Sequence, residues 1–357
     1  MATYKSIKYL VPVEAVEHTD SINALNDVDT VTAAPTDGQT IKWNGTNWVP
    51  SDIEEGASGT QKAIFGFGNP GSGFTNATNL VSSLGVVSSD VTGVGSTRRS
   101  TAAAGFGGDK AIFGFGFVSG SASNTTNLVS NLGVVASDST GVGTGRASLA
   151  AAGFGGDKAI FGFGHDGNET KDMTNLVSNT GVVSSDVTGV GTARNTLAAA
   201  GYGGDKAIFG FGYDDISYTF IYYTLTNLVS NTGVVATNTA TVSGVTGRNG
   251  LAAAGFGGDK AIFGFGNNEN DGNLNISNLV SNLGVVATDT TGVGSARTQL
   301  AAAGYGSDKA IFGFGKDGYN HHNITNLVSN TGVVSSNTTG VGTAREGLAA
   351  AGYSSAA

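Results

Sequence analysis

Six tandem copies of one unit, four short apolar or aromatic runs in each copy and no run with a helical period predict an all-β chain, a six-bladed β-propeller. The string Lys-Ala-Ile-Phe-Gly-Phe-Gly starts at Lys62, Lys110, Lys158, Lys206, Lys260 and Lys309, in steps of 48, 48, 48, 54 and 49 residues. Each copy continues through an irregular segment, then Thr/Ser-Asn-Leu-Val-Ser, a turn at Gly with Val-Val, an Arg, and a small-residue run ending Ala-Gly-Phe/Tyr that leads into the next copy. Four strands per repeat is the inventory of a propeller blade.

Strand periodicity gives each run a role. Within Ala111 to Gly116, alternation predicts Phe113 and Phe115 on one face and Ile112, Gly114 and Gly116 on the other, so the bulky face of one blade fills the bare face of its neighbour. Leu149 to Gly153 suits an innermost strand, where blades converge and only small side chains fit. The chain enters the repeats at Gln61-Lys62-Ala63-Ile64, a second strand, and ends at Leu348 to Tyr353, a first strand. Pairing of these terminal strands would close residues 61 to 357 into one ring and remove its exposed edges. An open solenoid or prism is the competing architecture; a solenoid would want atypical end repeats, and the first and last copies look like the others.

Composition narrows the function. Gly is the commonest residue at 58, Pro numbers only 4 and charged residues make up 13%, which excludes collagen-like and charge-rich disordered chains. A net charge of −9 offers no basic footprint for nucleic acid or an anionic membrane. Cysteine is absent, so disulfide and thiolate chemistry are excluded. Lys5 and Lys8 precede an apolar run that Glu14 and Glu17 interrupt before it reaches signal-peptide length, and no apolar stretch is long enough for a spanning helix. Neither Sec export nor membrane insertion is expected.

Residues 1 to 60 share nothing with the repeat and hold both tryptophans. Gln39 to Pro50 reads as a hairpin turning at Asn44-Gly45, which would set Ile41, Trp43, Thr46 and Trp48 on one face. A lone hairpin is marginal in water, so that face calls for cover by the rest of the chain, by symmetry mates or by a docking partner. The expectation is an attachment module carried by Ile41, Trp43 and Trp48.

No catalytic motif stands out in the sequence, and neither an enzyme nor a cofactor is expected. Gly162-Phe163-Gly164-His165-Asp166-Gly167 matches a dinucleotide-binding glycine pattern, yet no helix follows it to face a phosphate. Asn267 to Gly272 begins like a calcium loop, but its twelfth position is Asn278 where a bidentate carboxylate is required. His18, His165, His321 and His322 have no metal-site spacing, although the pair His321-His322 leaves a metal or a glycan open beside a solvated loop. One arginine recurs per copy before the inner strand, at Arg98, Arg146, Arg194, Arg248, Arg297 and Arg345, and symmetry predicts a ring around one mouth of the central channel. Such a ring either hydrogen-bonds fixed acceptors between blades or binds an anion.

The segments after each Gly-Phe-Gly diverge while the rest of each copy is nearly constant: 69 to 77, 117 to 125, 165 to 173, 213 to 225, 267 to 276 and 316 to 324. Alternating strand direction puts all six on one face with the arginines and the Asp-Lys turns on the other. A uniform scaffold with six different loops is how a binding face is built. The candidate binding residues are Tyr213, Tyr218, Phe220, Tyr222 and Tyr223 on the longest loop, with His165, Tyr319, His321 and His322 on others.

The order Arg, small-residue strand, aliphatic-aromatic strand ending in glycines, loop, third strand, turn and fourth strand resembles kelch repeats over about residues 62 to 357. It departs from them in having Gly-Phe-Gly for adjacent glycines and in lacking Tyr and Trp in the outer strands, so the ring is kelch-like. Leu25 to Asp29, Ala34-Pro35-Thr36-Asp37-Gly38-Gln39, Trp43-Asn44-Gly45 and Trp48-Val49-Pro50 resemble a segment recurrent in bacteriophage tail-fibre and other virion-appendage proteins. That resemblance implies a virion structural protein, a homo-oligomer with a trimer favoured, held to other virion proteins through residues 1 to 60. The propeller would then be displayed toward a host-surface glycan or protein. A capsid decoration or head-fibre protein and a free bacterial lectin are the alternatives.

Overall fold

The computed structural model describes residues 39–43, 46–52, 61–216 and 219–354, in which every regular element is a β-strand and every strand pairing is antiparallel. The chain divides into two compact units, Met1–Ala57 and Ser58–Ala357.

In the first unit Gln39–Trp43 pairs with Trp48–Asp52, with Trp43 opposite Trp48 and Ile41 opposite Pro50. A two-residue turn at Asn44-Gly45 would have set Trp43 opposite Thr46. The connection instead takes residues 44 to 47, of which 44 and 45 lie outside the described residues, and Thr46 leaves the strand.

The second unit repeats one sheet six times. Sheet 1 joins both ends of the unit: Ala349–Ser354 pairs with Gln61–Gly66, which pairs with Thr78–Val81. Sheet 2 runs Ala102–Phe106, Lys110–Gly114, Thr126–Val129, and sheet 3 runs Ala150–Phe154, Lys158–Gly162, Thr174–Val177. Sheet 4 is Ala198–Tyr202, Lys206–Gly210, Leu225–Val229 with Thr239–Ala240 at its edge. Sheet 5 is Ala252–Phe256, Lys260–Asn268, Gly272–Val280, and sheet 6 is Ala301–Tyr305, Lys309–Gly313, Thr325–Val328. The first turn of sheet 2 needs its glycines, since Gly107 and Gly108 take φ of 64° and 78°.

Two sequence expectations about these sheets are corrected. A fourth strand per repeat forms only in sheet 4; elsewhere it shrinks to two isolated bridges, such as Val81 with Val87 and Thr78 with Val91. Between those bridges side chains take over the ladder: the Leu80 amide donates to Ser88 Oγ at 2.9 Å and Asn79 Nδ2 donates to the Ser88 carbonyl at 3.0 Å. Phe113 and Phe115 do not share a face either. Phe115 has φ 63°, in the left-handed region, and this reversal interrupts the alternation. Phe115 packs with Ile112 against Phe161 of sheet 3, whereas Phe113 packs with Ile64 and Phe67 of sheet 1. The bare position is Gly114, where a Cβ would stand 2.7 Å from Phe161 Cζ.

Each sheet meets the next in this way, and the last meets the first. Gly313 of sheet 6 faces Phe65 of sheet 1 just as Gly66 faces Phe113. Two series of backbone hydrogen bonds also run from sheet to sheet and return to their start. At the end with the variable segments the donors and acceptors are Ser148 to Ser100, Thr196 to Ser148, Gly250 to Thr196, Gln299 to Gly250, Gly347 to Gln299 and Ser100 to Gly347, at 2.6–2.9 Å. At the other end Gly107, Gly155, Gly203 and Gly257 donate to Asp157, Asp205, Asp259 and Asp308, while Gly306 donates to Gln61 and Ser354 to Asp109.

Candidate functional site

The six segments that differ between copies all leave the sheets at the end where each second strand finishes. Each starts beside the residue that follows a recurring arginine: Phe117 bridges Arg99, His165 bridges Ala147, Tyr213 bridges Asn195, Asn267 bridges Asn249, Lys316 bridges Thr298 and Asn69 bridges Glu346. The segment in sheet 4 folds into its own hairpin, Tyr213–Ile216 with Thr219–Tyr222. Tyr213 stacks on Tyr222 at 6.0 Å and 24° and meets Phe220 at 5.8 Å, while Phe220 keeps 47% of its surface exposed. Burial, and then the charges of Asp215 and Asp214, push the Tyr213 phenol up. Burial and Glu269 of the neighbouring loop do the same for Tyr222, and burial with Asp214 raises Tyr223. Thr170 Oγ1 donates to Asp214 Oδ1 at 2.8 Å, tying the third loop to the fourth.

The other candidates are spread over the face. His165 Nδ1 accepts from the Gly167 amide at 2.9 Å. Tyr319 is fully exposed at the tip of the sixth loop. His322 Nε2 lies 2.9 Å from Asp317 Oδ2, and hydrogen bonds from His322 and Asn320 hold the Asp317 carboxyl low. His321 packs beside Gly71 of the first loop. Thus Tyr213, Phe220, Tyr222 and Tyr223 are gathered on one hairpin, and the histidines and Tyr319 are not joined to them. Tyr218 lies outside the described residues, as does the side chain of Trp43 or Ile41; Trp48 is partly exposed. Among the described residues no group of three or more His, Asp or Glu is placed to hold a metal ion.

The recurring arginines do not ring an open mouth. Arg98, Arg146, Arg194, Arg248, Arg297 and Arg345 are fully buried between sheets and line neither axial cavity. Arg248 is representative: its guanidinium lies 4.4 Å over the Phe211 ring of sheet 4, while Nε donates to the Phe265 carbonyl at 2.7 Å, Nη2 to Asn278 Oδ1 at 2.7 Å and Nη1 to the Thr246 carbonyl at 3.1 Å. The planar fork meets fixed acceptors and an aromatic face, which is why arginine recurs here and why no anion has access. Burial lowers all six to about 10, so they stay charged at neutral pH.

A second set of positions varies with the loops. The position after each arginine reads Arg99, Ala147, Asn195, Asn249, Thr298 and Glu346, and it varies as the loops do. These side chains are buried or half-buried beneath the loops and support them: buried Glu346 faces Lys316 Nζ at 2.6 Å and Arg99 at 4.0 Å, and Arg99 lies between the rings of Phe74 and Phe117 at 5.3 and 5.7 Å. Variation inside an otherwise constant repeat was the available signal.

At the opposite end an axial cavity of about 450 Å³ is ringed by Lys110, Lys158, Lys206, Lys260 and Lys309, with Gln61 and Ser354 in the remaining sector. Each lysine is ion-paired to the aspartate before it, at 2.7, 2.8, 3.7, 3.0 and 4.0 Å. Its lining barely changes from copy to copy and its charges cancel pairwise, so it carries no difference from which specificity could be read.

No known family model matches the chain, and no curated protein matches it.

Proposed function

We propose that this chain is a virion appendage protein, a tail fibre or similar structure, whose residues 61 to 357 form a closed six-bladed, kelch-like propeller that binds a host-surface glycan or protein. Residues 1 to 60 attach it, as a homo-oligomer, to other virion proteins. Ring closure is supported by the pairing of Ala349–Ser354 with Gln61–Gly66 and by the two returning series of inter-sheet hydrogen bonds. The observation that carries the binding role is the concentration of copy-to-copy variation at one end of an otherwise repeated frame, with an aromatic hairpin at its longest loop. The virion assignment rests on the resemblance of the first sixty residues alone.

Exchanging residues 213 to 225 for the shorter segment 165 to 173 is expected to leave a folded ring and to cut adsorption to host cells at least tenfold. Removing residues 1 to 60 is expected to leave a soluble ring that no longer enters particles. Full adsorption by the folded exchange variant removes the fourth loop from the binding site, and normal incorporation of the truncated ring refutes the attachment role.

A further inference from the structure

The hairpin of the fourth loop has two unlike faces. Alternation and register put Tyr213, Asp215, Phe220 and Tyr222 on one side and Asp214 and Ile221 on the other. The third loop reaches the Asp214 side, through Thr170. Among the described residues the hairpin is a two-stranded sheet of its own, and Asp215 and Phe220 stay exposed on its ring side. Charge is spread unevenly over the same end of the unit. Segments 165–173, 213–225 and 267–276, from three consecutive sheets, carry seven carboxylates and one lysine. That lysine, Lys171, is held within its own loop by Asp166 at 3.1 Å and by Glu169. Segments 69–77 and 117–125 carry no charged side chain, and 316–324 balances Lys316 against Asp317. The carboxylates reach the rings: after burial, Asp215 and Asp214 raise the Tyr213 phenol, and Glu269 of the fifth loop raises that of Tyr222.

We propose that this ring face docks a basic segment of a host-surface protein, with lysine or arginine side chains laid on Tyr213, Phe220 and Tyr222 and met by the carboxylates around them. The proposal rests on the binding role of the variable end and names the partner class for it. An aromatic face attracts a cation, and a carboxylate on the same face, as Asp215 is, adds to that attraction. The excess negative charge spans three loops, more than a single ammonium group can meet, so its complement is a chain carrying several cations. The exposed Phe220 and Ile221 give the alkyl stems of such side chains an apolar surface to cover. A polyanionic partner is repelled by the same field.

Isothermal titration of the full chain with a hexalysine peptide at low salt reads the contact, with hexaglutamate and choline as comparison probes. Asp215→Asn/Glu269→Gln removes two exposed carboxylates and is expected to weaken hexalysine binding about tenfold or more. Phe220→Leu keeps the apolar surface but removes the ring, and is expected to weaken it about threefold. Asp205→Asn/Asp259→Asn removes the same charge at the opposite end and should change binding by less than about twofold, which separates the site from the general attraction of a chain with net charge −9. Unchanged near-ultraviolet circular dichroism shows that each variant is folded. No binding of hexalysine, equal weakening by the two double variants, or hexaglutamate binding as tightly overturns the proposal. Choline binding as tightly as hexalysine also overturns it, since a single alkylammonium group would then suffice. Host-cell adsorption separates the two readings. If the loop exchange abolishes adsorption while Asp215→Asn/Glu269→Gln leaves it intact, the face binds the host but not through a basic segment; if the loop exchange leaves adsorption intact, the binding role of the loop falls instead.

Discussion

Replacing Arg248 by Lys keeps the charge and removes the fork, so it isolates what the guanidinium geometry contributes. One ammonium can serve only part of what Arg248 serves, and the Phe265 carbonyl, Asn278 Oδ1 and Thr246 carbonyl are all acceptors in a buried junction. Leaving two of them unpaired costs about 1–3 kcal/mol each, and losing the stack on Phe211 adds to this, for a total of about 3–5 kcal/mol. At roughly 2 °C per kcal/mol for a unit of this size, Tm should fall by about 6–10 °C. The chain contains its own control. Arg98 occupies the equivalent junction between sheets 1 and 2, yet its Nε and Nη1 have no hydrogen-bond partner; it bonds Asn127 Oδ1 through Nη2, lies 4.5 Å over Phe67 and keeps Nη1 3.9 Å from Asp138 Oδ1. Arg98→Lys should therefore cost about 1 kcal/mol or less, since a single donor is what it uses. Differential scanning calorimetry of both variants decides the matter. Equal losses, or a Tm for Arg248→Lys within about 1 °C of native, would refute the view that the fork's fixed acceptors are the reason for arginine.

Acid should weaken the six-sheet unit through Asp90, Asp138 and Asp186. Burial alone would raise these carboxyls, but hydrogen bonds from Asn79, Asn127 and Asn175 and from Thr343, Ser96 and Thr144 outweigh it and hold all three low. Their contribution is then complete above the unfolded value of about 3.9 and is lost as pH falls through the lower folded values. Urea midpoints should drop below pH 4, and the triple Asp→Asn variant should show a flatter acid limb, because Asn238 and Asn337 already fill this position in sheets 4 and 6; an identical acid limb in that variant contradicts the assignment. Gly210→Ala would place a Cβ 2.7 Å from Phe263 Cζ, overpacking a junction at about 1–3 kcal/mol, whereas Gly258→Ala meets nothing within 4 Å and bears only the strain of φ +80°. Equilibrium unfolding of both, with Tyr and Phe near-ultraviolet circular dichroism as a packing probe, should show loss of aromatic signal for Gly210→Ala alone.

The repeat spacing and the period-2 pattern made the all-β class, the first three strands of each sheet and the pairing of the terminal strands legible, because these depend on side-chain size and alternation that each residue carries by itself. Two features escaped because they depend on partners distant in the chain. Phe115 reads as one more strand residue until its ring is seen as part of the arginine junction: the Phe67, Phe115, Phe163, Phe211, Phe265 and Phe314 backbones all lie at φ 63–65°, and the guanidinium before each neighbouring strand covers the ring. Left-handed phenylalanine is unfavourable alone and persists where the surroundings over-determine it. The two-residue turn expected at Asn44-Gly45 failed for a similar reason, since dipeptide preference yielded to the register that sets Trp43 opposite Trp48.

Why variation at the loop end leaves the frame undisturbed follows from how each loop is fastened. The Ala147 amide donates to the His165 carbonyl and the His165 amide to the Ala147 carbonyl, both at 2.9 Å, and Asn249 with Asn267 and Thr298 with Lys316 make the same reciprocal pair. These bonds use main chain only, so they accept Ala, Asn or Thr on one side and His, Asn or Lys on the other without change. The arginine one residue earlier and the Gly-Phe-Gly one residue before the loop are side-chain dependent and correspondingly constant. A boundary therefore falls between adjacent residues: Arg146 belongs to the packing and Ala147 to the loop floor. New side chains can be introduced at residues 99, 147, 195, 249, 298 and 346 at little cost to the junctions, provided each suits the loop above it. Glu346 shows the limit, since its buried carboxylate faces Lys316 and Arg99 from two different sheets. Glu346→Ala should leave those two cations uncompensated and shift the first, second and sixth loops together, while leaving the aromatic hairpin of sheet 4 as it is. Loss of protection from amide exchange in 69–77, 117–125 and 316–324, with none in 213–225, is the expected pattern; a uniform change around the face would mean that the loops are not independently fastened.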